Sequence, residues 1–250
     1  MQLKHIFLSV LFVQAVLCGQ AQVPKTTNHI TQVWGGYFNQ TRFTKKWGLW
    51  VDMHLRTKEE FVNNLAQSIA RVGLTHYLTD NARLTFGYAF VNHFPADNHA
   101  NISRPEHRIW QQVQWHHRYP RLRLMQWIRL EERFRHKVAN NDNLADGYNY
   151  NWKVRYNFSF NIPLSKKAFA PNTFSLVLND EVHVNFGKEI VYNYFDQNRF
   201  FVGFSYHTNA HDNLQFGYMN LFQQLATGNS YKIIHAARII YFHNLDLRRK

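Results

Sequence analysis

Apolar and polar side chains alternate with a period of two along most of this chain. In residues 148–162 one set is Tyr148, Tyr150, Trp152, Val154, Tyr156, Phe158, Phe160 and Ile162. The intervening set is Asn149, Asn151, Lys153, Arg155, Asn157, Ser159 and Asn161. Successive side chains leave a pleated strand on opposite faces, whereas a helix would spread both sets around its circumference, so the segment is a strand. Soluble strands run about 5 to 6 residues and a tilted membrane-crossing strand about 9 to 11, so its length points to a bilayer.

The same alternation recurs. Leu49, Val51, Met53 and Leu55 oppose Gly48, Trp50, Asp52, His54 and Arg56; Leu84, Phe86, Tyr88 and Phe90 oppose Arg83, Thr85, Gly87 and Ala89; Phe200, Val202, Phe204 and Tyr206 oppose Arg199, Gly203, Ser205 and His207. Strands are read at 33–43, 47–57, 65–78, 82–94, 106–118, 122–135, 148–162, 173–186, 198–208, 214–225 and 231–245. Bacterial single-chain barrels favour even strand numbers, so the expectation is ten to twelve with twelve favoured, and residues 22–32 are the segment in question. Mostly short turns ("TKK", "TDN", "YPR", "NAHDN") alternate with mostly longer connections, among them "PADNHANISRPEH" and "GKEIVYNYFDQN". Outer-membrane barrels show that asymmetry between their rims. In "FGY" (86–88), "VGF" (202–204) and "FGY" (216–218), a glycine on the polar face leaves room for a neighbouring side chain or a sharp bend.

A soluble lipocalin-like ligand binder would show the same alternation with the faces reversed. The length of the strands, their number above eight and the Tyr and Trp on the apolar faces favour the membrane, and residues 121–137 sharpen the point. Arg123, Met125, Trp127, Arg129, Glu131, Arg133 and Arg135 form one face, and Leu122, Leu124, Ile128, Leu130 and Phe134 belong to the other. An arginine facing lipid at mid-membrane costs about 2–4 kcal/mol. The charged column therefore faces inward, where Glu131 can meet Arg108 or Arg155. The fold expected is all-β: a single antiparallel up-and-down transmembrane β-barrel.

Composition narrows this further. With 45% hydrophobic residues and a mean hydropathy of −0.45, the 250-residue chain holds no apolar run long enough for a membrane helix after its N-terminus. A barrel tolerates such polarity because only alternate residues meet lipid. Residues 1–21 have Lys4, an apolar stretch from Ile6 to Leu17, and Gly19 and Ala21 before a cut at Gln22, which is a secretory signal. The lone Cys18 falls within it, so the mature chain, 22–250, carries no disulfide or thiolate site. The net charge of +13 suggests anionic surroundings, but the basic residues are scattered singly and no nucleic-acid-binding motif accompanies them. Outer-membrane lipid and, during biogenesis, the barrel-assembly machinery are the partners expected.

Candidate chemistry lies on the polar faces. Arg108, Arg129, Glu131, Arg133, Lys153, Arg155, Glu181 and His183 form a lumen-facing cluster, either the ion pairs of a filled barrel or the lining of a narrow, anion-favouring channel. A lipid hydrolase would need Ser205 and His207, with His183 and Glu181 to orient a base, within hydrogen-bond reach. No nucleophile elbow supports it, and no enzyme activity or cofactor is expected. A metal would require His54, His183 and His207 to converge across strands.

The segments "VWGGYFNQTRFTKKWGLWVDMHLR", "YLTDNARLTFGYAF" and "WIRLEERF" resemble domain-of-unknown-function family 2490, secreted proteins expected to form outer-membrane barrels in Gram-negative bacteria. The resemblance runs from about Val33 to Leu245. It implies an architecture and a location, the outer membrane after export, and brings no catalytic residue or ligand. Barrel families commonly end on an aromatic residue, whereas here Tyr241 and Phe242 are followed by "HNLDLRRK".

Overall fold

A computed structural model describes residues 24–59, 61–96 and 99–248; the segment read as a signal, with Cys18, lies outside the described residues. Eleven strands follow one another: β1 (Thr26–Arg42), β2 (Trp47–Thr57), β3 (Leu65–Tyr77), β4 (Ala82–His93), β5 (Arg104–Tyr119), β6 (Leu122–Val138), β7 (Leu144–Pro163), β8 (Thr173–Phe186), β9 (Phe195–His207), β10 (Asp212–Gln224) and β11 (Ser230–Asp246). Each pairs with the next, and β11 pairs with β1 to close a barrel.

Eleven lies within the expected range and one below the favoured twelve. The difference is resolved at the N-terminal side, where Thr26 to Gln32 lengthen β1 instead of forming a strand of their own. Sequential neighbours are antiparallel. With an odd count the first and last strands run the same way, so the closing pair β1·β11 is parallel, from Thr26↔Ser230 to Arg42↔Asp246. The strand series therefore starts at one rim and ends at the other.

The register fixes the tilt. A row followed from Arg42 through Gly48, Thr75, Thr85, Gln112, Arg129, Arg155, His183, Gln197, Gln223 and Lys232 returns to β1 at Asn28, fourteen residues from its start. For eleven strands that stagger inclines the chain by roughly 45°. The row climbs from the rim holding the β1–β2, β3–β4 and β5–β6 turns, here the turn rim, to the opposite loop rim.

Met53, Leu55, Phe86, Tyr88, Phe200, Phe204, Phe216 and Tyr218 are exposed on the outside. Tyr156 is 38% exposed while Arg129 and Arg133 are buried, so the greasy faces look out and the charges look in. A soluble monomer rarely exposes an apolar patch above a few hundred Å², and here one encircles the barrel, as a membrane-spanning barrel requires. Two carboxylates also stand outside: Tyr150 Oη donates to Glu132 at 3.2 Å and Asn198 Nδ2 to Asp180 at 2.9 Å.

The inward glycines hold space. A Cβ on Gly87 would lie 2.6 Å from the Trp110 ring and one on Gly73 2.9 Å from it, so Trp110 can lie flat on the wall. Gly203 and Gly217 face each other in register, and a Cβ on Gly203 would lie 2.6 Å from the tip of Phe201.

The lumen is not polar all round. Ile30, Trp34, Val177, Phe201, Met219, Leu221, Ile234 and Ala236 form an apolar cluster inside it. Its side chains come mainly from β9, β10, β11 and β1, the strands beside the parallel seam.

Candidate functional site

Strand pairing stacks the inward columns of β5 to β8 side by side: Arg108 faces Arg133, Arg129 faces Arg155, and Arg155 faces His183. Like charges directly opposite repel, so the arrangement needs acids between them. Glu131 supplies one, with Arg155 Nη1 at 2.7 Å, Arg108 Nη1 at 3.3 Å and Arg129 Nη1 at 3.9 Å. Glu181 supplies a second. Arg155 Nε donates to it at 2.6 Å, His183 lies at 3.0 Å and Arg199 at 3.7 Å.

Two further acids complete the network. Glu106 accepts from Arg108 Nε at 2.6 Å, Arg133 Nε at 2.6 Å and Arg135 Nε at 2.8 Å, and meets His93 Nε2 at 2.9 Å. Asp196 accepts from Lys153 Nζ at 2.5 Å. The sequence places Asp196 in the connection 187–198 and Glu106 at the edge of the strand 106–118, where it overlaps the preceding connection. The structure starts β5 at Arg104, so Glu106 continues the Arg108 column inward. It starts β9 at Phe195, where the register against β8 shifts between His183 and Val184 and the unpaired Asp196 turns inward beside Gln197. The period-two extension of the Arg108 column was a signal for Glu106; a bulge leaves none for Asp196.

All eight residues of the expected cluster, Arg108, Arg129, Glu131, Arg133, Lys153, Arg155, Glu181 and His183, are buried inside the barrel. Seven join the network directly. Arg129 reaches Glu131 only at 3.9 Å and sits instead among three indoles, 4.4 Å from Trp110, 5.1 Å from Trp127 and 5.5 Å from Trp50, donating through Nε to Gln112 at 2.9 Å. Guanidinium on indole faces is a favourable cation–π arrangement. On β2 and β3, Asp52 joins Arg71 at 2.6 Å and the Trp50 indole at 2.6 Å.

These side chains are packed at mid-barrel with little exposure. Trp110 is 1% exposed, Arg129 3%, Glu131 1% and Phe201 0%. Groups lining a water-filled pore would be wet. On the loop side of this layer lies a cavity of about 410 Å³, reaching Asn193, Leu225 and Ala226 in the loop-rim connections and Lys153, Arg155 and His183 at its floor.

The residues considered for hydrolysis are not brought together. Ser205 Oγ donates to Asn213 at 3.0 Å and His207 bonds Ser175 Oγ at 2.8 Å. Ser205 pairs with Ser175 across β8 and β9, but His183 pairs with Gln197, so Glu181 and His183 lie well toward the opposite rim. His54, His183 and His207 go to separate partners: Asp52, Glu181 and Ser175. Among the described residues no three His, Cys, Asp or Glu side chains gather as a metal site.

Comparison with known proteins adds no activity. The model of the family described as "Protein of unknown function (DUF2490)" matches residues 31–232. No curated protein matches the chain. Among solved structures, that of the NanC porin in a rhombohedral crystal form is similar with a TM-score of 0.43 and 12% identity, over 77% of this chain and 87% of that one.

Proposed function

Because the chain belongs to the DUF2490 family of proteins of unknown function, its role rests on the barrel itself, and we propose that it is an outer-membrane barrel closed at its waist. Export by the N-terminal signal and insertion by the barrel-assembly machinery would bring it there. The lumen then holds the wall together and offers a vestibule on the loop side, without a standing pore. The observation that carries this is the low exposure of the waist side chains: Trp110, Arg129, Glu131 and Phe201, beside and below the cavity, are each at most 3% exposed. A barrel of this size lies between small filled barrels and open porins, so side chains and not diameter decide conduction.

Fractionation and planar bilayers test both parts. The protein should partition with the outer membrane and show heat-modifiable gel migration. Refolded protein should carry no steady current above the bilayer background, and Trp110→Ala with Arg129→Ala should introduce one. Steady current through the unaltered protein would refute the closed waist; recovery in the soluble fraction would refute the location.

A further inference from the structure

The loop-side cavity has unbalanced charge. Nine Arg and Lys side chains line it against two acids, Glu131 and Asp196. The β5–β8 arginines are matched by the acids described above, and across the lumen Arg71 is matched by Asp52 at 2.6 Å and Arg199 by Glu181 at 3.7 Å, which leaves Arg56 and Lys232 without an acid among the described residues. Arg56 belongs to none of the ion pairs among the described residues; it bonds Gln67 at 2.8 Å through Nη1, lies 3.6 Å over the Trp34 ring, and its buried Nε has no partner. Arg199 approaches the same ring at 5.2 Å. Arg71 is 7% exposed; its Nη1 is on Asp52, yet its Nε is unpartnered. Lys232 lines the same cavity with no ion pair among the described residues.

Two guanidinium groups converging on one indole repel each other strongly in a low-dielectric lumen, and a buried donor without an acceptor costs about 1–3 kcal/mol. An anion placed among them would relieve both. Ile30, Leu221 and Ile234 line the cavity beside these cations, so one flank is apolar. The volume suits a small molecule, since ligand pockets start at about 300 Å³.

We infer that this cavity binds a small organic oxyanion, its carboxylate or phosphate held by Arg56, Arg71, Arg199 and Lys232 and its apolar body against Ile30, Leu221 and Ile234. The inference takes from the closed-waist reading that the ligand enters and leaves by the loop rim. Guanidinium and ammonium donors supply charge-assisted hydrogen bonds to such a head group. Trp34 holds Arg56 in place by stacking, and Arg199 is held by Gln197, to which its Nε donates at 2.9 Å.

Phenyl phosphate, benzyl alcohol and benzylammonium, titrated by calorimetry into the full mature chain in detergent at low salt, form the test. Phenyl phosphate should bind saturably, and the neutral and cationic analogues should not. Inorganic phosphate alone should bind more weakly than phenyl phosphate. Arg56→Gln and, nearer the rim, Lys232→Gln should each weaken binding about tenfold, the loss of one charge-assisted contact. Heat-modifiable migration reports that each variant is folded, and the Lys232 variant serves if the Arg56 variant is not. Absence of saturable phenyl phosphate binding, or equal affinity in folded variants, would overturn the inference. Steady current through the unaltered protein would instead count against the closed waist and leave binding measured in detergent standing.

Discussion

Two walls face each other across this lumen with opposite chemistry. The wall of β5 to β8 is ionic, knit by Glu106, Glu131 and Glu181 to Arg108, Arg133, Arg135 and Arg155. The wall of β9, β10, β11 and β1 has an apolar centre, with Phe201, Met219, Leu221, Ile234 and Ala236 packed together, and carries Arg199 and Lys232 toward the loop rim. Part of the difference lies at the parallel seam. Antiparallel strands with one solvated or charged face alternate cleanly, whereas parallel pairs are usually covered by apolar groups on both faces. β11, half of the only parallel pair in the barrel order, shows it: Ile234, Ala236 and Ile240 point in, and Ile233, Ala237 and Ile239 point out. One wall is held by charge complementarity, which a single substitution unbalances, and the other by contact area, which it only reduces.

The largest effect is therefore expected on the ionic wall. Glu106→Gln strands three arginines, and breaking a buried pair by removing one partner costs about 3–5 kcal/mol, here toward the upper end because Arg108, Arg133 and Arg135 all lose their common acceptor. The urea midpoint of unfolding from lipid vesicles measures it. Adding Arg133→Met should recover part of the loss, since apolar replacements of a buried pair are often tolerated. If Glu106→Gln were neutral, the wall would not depend on charge balance.

On the apolar wall, Met219→Ala should cost about 2–3 kcal/mol in the same measurement, the lower part of the range for such truncations, because Phe201 and Leu221 can relax toward the gap. The sharper distinction is in the salt response. Raising ionic strength should leave the Met219→Ala difference unchanged. A cost exceeding that of Glu106→Gln would reverse the ranking of the two walls.

How much of this was legible follows the same division. β7 alternates without a break from Tyr148 to Ile162, and its faces could be read directly, although the strand begins four residues earlier, at Leu144. The inward direction of Arg129, Glu131 and Arg133 followed from the cost of the alternative. On β11, "KIIHAARIIYF" is apolar on both faces, so periodicity could not say that half of it fills the lumen. The strand count failed to resolve for a related reason: polar residues Thr26 to Asn28 carry no pattern, yet they pair with Ser230 to Lys232. Which arginine meets which acid depends on register between strands distant in sequence. That is why Arg56, Arg71 and Arg199 were not singled out, although each sits on the polar face of its strand.

The smallest effect belongs outside both walls, at the turn rim. Asp80, in the β3–β4 turn, accepts from Arg42 Nη1 at 2.7 Å, and Arg248 beyond β11 stands 3.8 Å away. The backbone N–H of Leu247 donates to Arg42 O at 2.8 Å, so the residues after Phe242 extend the seam and tie it to this turn. Arg42, by its hydrogen bond and its charge, holds the Asp80 carboxyl below the ordinary aspartate value. A depressed value contributes stability above the unfolded carboxylate range and loses it as the pH falls through the folded value. Exposed pairs contribute little, because water and salt screen them. Asp80→Asn should thus lower the midpoint at pH 7 only marginally, and the gap to the unaltered protein should close when both are measured in acid below the carboxylate range. A shift at pH 7 as large as that of Met219→Ala would mean that the rim, and not the two walls, governs the stability of the seam.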